Sequence, residues 1–137
     1  MSFLVDTVVL SELREKNRDR SVVRWFKDAL AYDLFLSVVT IGEVEKGISN
    51  HRKKNPAFAR KLEDWLSNIF LYYSDRILPV DINIARRWGR LSEELGHSGA
   101  DLLIAATALE HGLTVVTQNT RHFEPTGALV LNPWLTD

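Results

Sequence analysis

The sequence contains no cysteine, which excludes disulfide bonds and thiolate metal sites. It also lacks any apolar run near the roughly 18 residues that a membrane helix needs. Residues 1–6 carry no basic segment and no long apolar stretch, so we expect neither a signal peptide nor a membrane anchor. Together these absences predict a cytoplasmic protein.

An excess of charge of one sign is also missing. Lysine and arginine number 17 against 18 aspartates and glutamates, so the net charge of -1 does not indicate a strongly cationic nucleic-acid binder. Positive charge is concentrated in residues 50–61, which include Arg52, Lys53, Lys54, Arg60 and Lys61. We favour a solvated loop and helix start over a phosphate-binding patch for this segment.

The pattern of apolar residues predicts the fold class. At 137 residues, 45% of them hydrophobic, the chain suits one domain spanning residues 1–137. Short apolar runs alternate with helical periodicity, which is typical of an α/β fold with a parallel sheet. We predict strands at 3–5, 34–38, 77–80, 113–117 and 128–131. We predict helices at about 8–14, after an N-cap at Ser21, from Thr40 to near Gly47, from Pro56, around 84–91 and at 101–109.

Three carboxylates stand at equivalent places in this pattern. Asp6 ends the first strand, Glu43 begins the helix after the second strand, and Asp101 begins a helix that is apolar nearly all round. Ligands of open α/β sheets bind beyond the carboxyl ends of the strands. Parallel strands would therefore bring Asp6 and Glu43 to one edge, and Asp101 would join them if its helix starts there.

Each acid also has a purely structural interpretation. Asp6 suits the N-cap of the following helix. Thr40 with Glu43 fits a capping box, and Ser98 with Asp101 fits the same rule with a shorter acid. Taken singly, each acid is explained better by capping than by function.

Taken together, the three acids favour a metal site. Unpaired carboxylates beside apolar segments are costly, and a divalent cation would offset their mutual repulsion. Carboxylate oxygens suit Mg²⁺ or Mn²⁺. Such a metal can activate water and stabilise charge on a phosphodiester, which indicates a hydrolase for nucleic acid or another phosphate ester.

Five segments carry a family resemblance. They are residues 6–13, 36–43, 101–108, 117–119 and the closing 132–134. In this order and spacing they resemble the motifs of PIN-domain proteins of the VapC and FitB type. The resemblance implies a parallel β-sheet flanked by helices on both faces, usually in a homodimer, with an acidic pocket for Mg²⁺ or Mn²⁺.

The family's activity supplies a functional expectation. Its members cleave RNA, often tRNA or rRNA, as the toxin of a toxin–antitoxin pair. A VapB-like antitoxin inhibits them, and operator DNA is contacted through that antitoxin. The resemblance implies that Asp6, Glu43 and Asp101 are the catalytic, metal-binding acids. It places Thr7, Thr117 and Asn119 among the polar positions near the metal.

Two positions depart from the family pattern. Val8 stands where many relatives have asparagine, and His122 stands where many have a fourth acid. Histidine is a poor Mg²⁺ ligand, so one metal ion or two remains open, although His122 can still line the site. A solvated loop position is an equal alternative for His122.

Other functions stay open at this point. A catalytically weak PIN module that binds antitoxin or RNA is the alternative to an active ribonuclease, and a metal-dependent DNA nuclease is another. A signalling receiver domain would need a lysine on a late strand, and the strand ending at Thr117 has none.

Overall fold

A five-stranded parallel sheet forms the centre of the protein, whose computed structural model describes residues 1–136. The strands are β1 (Phe3–Val5), β2 (Leu34–Ser37), β3 (Ile77–Leu78), β4 (Thr114–Val116) and β5 (Val130–Leu131). Their order across the sheet is β3-β2-β1-β4-β5, and every neighbouring pair is parallel. The predicted α/β class with a parallel sheet is confirmed.

Seven α-helices connect or flank these strands in the described chain. They are α1 (Thr7–Arg14), α2 (Arg20–Asp28), α3 (Val38–Lys54), α4 (Pro56–Tyr72), α5 (Ile82–Leu95), α6 (Ala100–His111) and α7 (Thr120–Phe123). Short 3-10 turns occur at Ala31–Asp33, Glu124–Thr126 and Pro133–Leu135. Across residues 1–136, no helix combines the length and the apolar character needed to cross a bilayer.

The central strand packs against helices on both faces. Successive side chains of a strand point to opposite faces, and both Leu4 and Val5 are fully buried. Val5 belongs to a core cluster with residues of α1, α2 and α4, whereas Leu4 belongs to one with residues of α6. Burial on both sides explains why β1 reads as a continuous apolar run.

Helix α3 extends beyond its predicted end near Gly47, so that prediction is wrong. The helix continues to Lys54 because Val44 and Ile48 pack against Leu62 and Leu66 of α4. Glycine in a helix interior costs about 0.5–1 kcal/mol, and the burial on either side of Gly47 offsets this cost.

Two predicted helix caps are also wrong. The N-cap of α2 is Asp19 in place of Ser21, because the Asp19 carboxylate accepts from the backbone N–H groups of Ser21 and Val22 at 2.9 and 3.2 Å. Helix α3 starts earlier than Thr40, because the Ser37 hydroxyl accepts from the backbone N–H of Val39 at 3.0 Å. In consequence Thr40 lies inside the helix.

Glycines in the left-handed backbone conformation end helices α5 and α6. Gly96 ends α5 with φ of 77°, and Gly112 ends α6 with φ of 66°. A residue with a Cβ rarely adopts this conformation. At Gly112 the turn allows β4 to begin two residues later, at Thr114.

The side chain of Phe123 anchors α7 to the sheet. It is fully buried in the cluster that contains Leu4 and Val115. The Phe123→Ala variant is therefore expected to lower the free energy of unfolding by about 3–5 kcal/mol, measured by urea denaturation. Leu129→Ala is the matched control, since Leu129 is 69% exposed and its loss should change stability by less than about 0.5 kcal/mol. Equal effects of the two substitutions would contradict this packing.

Candidate active site

The carboxylate of Asp6 lies at the carboxyl end of the central strand. The side chain is only 4% exposed and caps α1, as the sequence predicts. One carboxylate oxygen, Oδ1, accepts from the backbone N–H of Thr7 at 2.9 Å. The other, Oδ2, accepts from the hydroxyl of Thr117 at 2.8 Å. Two hydrogen bonds thus fix the carboxylate in one orientation.

Glu43 reaches the same edge from α3. The hydroxyl of Thr7 donates to Glu43 Oε1 at 2.6 Å and lies 3.1 Å from the hydroxyl oxygen of Thr40. Thr40 and Glu43 therefore do not form the capping box that their spacing allows. They lie three residues apart on one face of the helix, and both side chains contact Thr7.

Asp101 lies in the first turn of α6. Its carboxylate Oδ2 is 2.8 Å from Nδ1 of His122, which is carried by α7. The capping-box interpretation of Ser98 is wrong, because Gly99 is the N-cap of α6 and makes no side-chain capping hydrogen bond. His122 contacts an acid of the candidate site, so it is more than a solvated loop residue.

Thr117 and Asn119 link β4 to this arrangement. Thr117 is fully buried, and its hydroxyl oxygen accepts from the backbone N–H of Asn119 at 3.0 Å while its hydrogen is donated to Asp6. Asn119 thus supports Asp6 through its backbone. Its side chain is exposed and makes no capping hydrogen bond to α7.

The three acids interact electrostatically. Burial most of all, and then the charges of Asp101 and Glu43, raise the pKa of Asp6 from its ordinary value to about 6. The hydrogen bonds from Thr117 and Thr7 oppose this shift. No lysine or arginine in the described part of the chain forms a salt bridge with any of the three acids. Their negative charge is therefore uncompensated by side-chain cations.

The chemistry of these donors fits a hard divalent cation. All three side chains offer carboxylate oxygens, the donors that Mg²⁺ and Mn²⁺ prefer, and the raised pKa of Asp6 indicates a charge that a cation would stabilise. Among residues 1–136 no three acidic or histidine side chains already lie close enough together to hold a metal. Glu43 is held by Thr7 and Asp101 by His122 instead. Metal binding by Asp6, Glu43 and Asp101 stays a prediction.

The sequence did not predict that Thr40 contributes to this site. Its position three residues before Glu43 indicated a helix cap, and only the earlier helix start places it inside, opposite Thr7. The sequence signal for the earlier helix start is the apolar run before Thr40, because β2 continues directly into α3 without a loop.

The raised pKa of Asp6 makes stability depend on pH. The folded state prefers the protonated carboxyl, so the contribution of Asp6 to stability is largest below about pH 4, falls as the pH rises to about 6, and is constant above that. In EDTA at pH 7.5, Asp6→Asn is expected to raise the free energy of unfolding by up to about 3 kcal/mol, measured by urea denaturation. The gain should vanish near pH 4. The control is Glu93→Gln on the exposed face of α5, which should change the free energy of unfolding little. An Asp6→Asn protein no more stable than wild type at pH 7.5 would contradict this account.

Comparisons with known proteins agree with this architecture. A sequence model described as the PIN domain matches residues 3–128. The chain is 33% identical over 138 residues to VapC ribonuclease Y4jK of Sinorhizobium fredii, covering 96% of each chain. It is 34% identical over 139 residues to toxin FitB of Neisseria gonorrhoeae, covering 96% of this chain and 97% of that protein.

A solved structure gives the same result. The crystal structure of FitAcB from Neisseria gonorrhoeae contains a chain that matches with a TM-score of 0.80 and 32% identity, over 97% of this chain and 99% of the other. The match covers the parallel sheet and the helices on both of its faces. The chain belongs to the PIN domain family.

Proposed function

We propose that this protein is a metal-dependent endoribonuclease and the toxin component of a toxin–antitoxin pair. The observation that carries the proposal is the group of three carboxylates at one sheet edge, where Asp6 is buried and forms no salt bridge with any lysine or arginine of residues 1–136. The names of the relatives, VapC ribonuclease and toxin FitB, support the same activity. We expect it to act in the cytoplasm, on RNA such as tRNA or rRNA.

Asp6, Glu43 and Asp101 would hold one Mg²⁺ or Mn²⁺. When bound, such a cation supplies an activated water and stabilises the charge that develops on a phosphodiester during hydrolysis. No protein nucleophile is needed, and the chain has no cysteine to provide one.

The residues around the acids hold their carboxylates in place. Thr117 and the backbone of Thr7 orient Asp6, the hydroxyl of Thr7 orients Glu43, and His122 orients Asp101. Preorganised groups of this kind lower the cost of ordering a site when substrate arrives. We assign Thr7, Thr117 and His122 to positioning, with Asn119 supporting Thr117 through its backbone.

Protein partners follow from the relatives. A solved structure of FitAB is bound to a DNA fragment, and a chain of it is 31% identical to this one with a TM-score of 0.80. We propose that a VapB-like antitoxin binds and inhibits this protein, and that operator DNA is reached only through that antitoxin. We also propose a homodimer, for which light scattering should give twice the mass of one chain.

A catalytically weak module that binds antitoxin or RNA is the second candidate. The contact between His122 and Asp101 favours it, because an acid held by a histidine offers one oxygen fewer to a metal. The cleavage assay below separates the two candidates, and DNA substrates in the same assay test a DNA nuclease.

Removal of an acid should abolish cleavage without unfolding the protein. Asp101→Asn and Glu43→Gln are each expected to lower the rate of RNA cleavage by about 10²-fold or more, because each removes charge from the metal site. The measurement is cleavage of total tRNA and rRNA in Mg²⁺, Mn²⁺ or EDTA, with circular dichroism to verify folding.

Asp64→Asn is the control, because Asp64 is an exposed acid on α4. Undiminished cleavage by both site variants would overturn the nuclease assignment. A folded wild-type protein that cuts no RNA in any metal would favour the binding module.

Metal affinity should depend on the ionisation of Asp6. Because a ligand must be deprotonated to bind, and the pKa of Asp6 is raised to about 6, Mn²⁺ should bind about tenfold more weakly for each pH unit below 6. Affinity should level off above pH 7. Calorimetry at pH 5, 6 and 7.5 measures this dependence. A Mn²⁺ affinity that does not change across that range would contradict the role of Asp6.

A further inference from the structure

A cavity of about 520 Å³ adjoins the acidic site on the outer side of Asp101. It lies between the start of α6, the loop after α5 and helix α7. Its charged and titratable lining consists of Asp101, His97, Arg121 and His122. One acid thus faces three side chains that donate hydrogen bonds.

The cavity contains hydrogen-bond donors that have no acceptor within residues 1–136. The single acid of its lining, Asp101, is already bound to His122 at 2.8 Å. Arg121 and His97 are exposed and form no side-chain hydrogen bond or salt bridge within residues 1–136. An unpaired guanidinium presents a planar set of N–H donors that matches the oxygens of a phosphate.

The position of Arg121 is set by the fold. It precedes His122 on α7, a short helix that follows β4 and is anchored by the fully buried Phe123. The same helix therefore holds His122 against Asp101 and Arg121 at the cavity wall. A group bound to Arg121 would lie directly beside the acidic site.

An RNA substrate needs such a cation near the acids. Three carboxylates repel the phosphates that flank the cleavage point, and the net charge of -1 gives no general attraction. The basic cluster of residues 50–61 does not fill this need locally. Along α3, the first cation of the cluster, Arg52, lies nine residues beyond Glu43, or about 14 Å at 1.5 Å per residue, and it is paired with Glu63.

We propose that the cavity binds a phosphate of the RNA backbone next to the phosphodiester that is cleaved, with Arg121 as its principal ligand and His97 as a second donor. This inference rests on the proposed ribonuclease function and adds a substrate-binding residue to it. Arg121 holds the neighbouring phosphate and so keeps the strand in register with the acids. Its contribution falls mainly on substrate binding.

The test measures RNA binding and cleavage separately. Binding of a fluorescein-labelled single-stranded RNA of mixed sequence is followed by anisotropy in EDTA, where no cleavage occurs. Arg121→Gln is expected to weaken the Kd by about tenfold and to lower the slope of log Kd against log salt by about 0.7, the value for one phosphate contact on a single strand. Arg121→Lys should recover part of the loss, and His97→Asn should show a smaller one.

Arg24→Gln is the matched control, because Arg24 is an exposed arginine on α2, outside this cavity. It should change the Kd less than twofold. A loss in Arg24→Gln equal to that in Arg121→Gln would overturn the proposal, as would an Arg121→Gln protein that binds RNA within twofold of wild type.

Kinetics in Mg²⁺ or Mn²⁺ provide a readout that a purely structural role would not give. Arg121→Gln should raise KM about tenfold and leave kcat within about twofold, whereas a disturbed Asp101 would lower kcat. A fall in kcat at unchanged KM would overturn the proposal.

The outcomes distinguish this inference from the proposed function. Metal-dependent cleavage that needs Asp101 but is indifferent to Arg121 overturns the phosphate site and leaves the ribonuclease standing. RNA binding that depends on Arg121, in a protein that cuts nothing, supports the phosphate site and overturns the nuclease.

Discussion

The buried carboxylate of Asp6 is the constraint on which the rest of the site depends. It follows the central strand, caps the first helix and accepts a hydrogen bond from Thr117, which follows β4. These bonds hold a charge where burial and two neighbouring acids oppose ionisation. The fold thus maintains a strained electrostatic arrangement that a cation would relieve, as functional sites commonly do.

The parallel sheet explains why the acids lie at one edge. Strands β2, β1 and β4 are neighbours and run in the same direction, so their carboxyl ends share one edge. Asp6 follows β1, Glu43 comes from the helix that follows β2, and Thr117 follows β4. Asp101 approaches from the start of α6, which packs on one face of the sheet. Strand order thus places Asp6, Glu43 and Thr117 at one edge, and the packing of α6 on the sheet adds Asp101.

Much of the fold could be predicted from periodicity. The apolar runs of β1 and β4 and the helical spacing in α4 and α5 depend on burial, which the sequence records directly. Helix boundaries were less predictable. Ser21 and Thr40 are good capping residues, but Asp19 and Ser37 occupy the caps instead. The long α3 depends on contacts with α4, which local sequence does not reveal.

The candidate acids were recognisable because they stand at strand and helix ends. Their partners were not, because those contacts cross the sheet edge. The pairing of Thr7 with Glu43 spans 36 residues, and that of Thr117 with Asp6 spans 111. His122 fell outside the family pattern, and only the placement of α7 shows that it holds Asp101.

The central claim is that Asp6, Glu43 and Asp101 form one metal site. The most direct test is an anomalous difference map from crystals of the wild-type protein grown with Mn²⁺. The account predicts a peak coordinated by carboxylate oxygens of these three residues, absent from crystals of Asp6→Asn. Ordered Mn²⁺ elsewhere with no peak at these acids, in crystals that leave the site open to solvent, would contradict it.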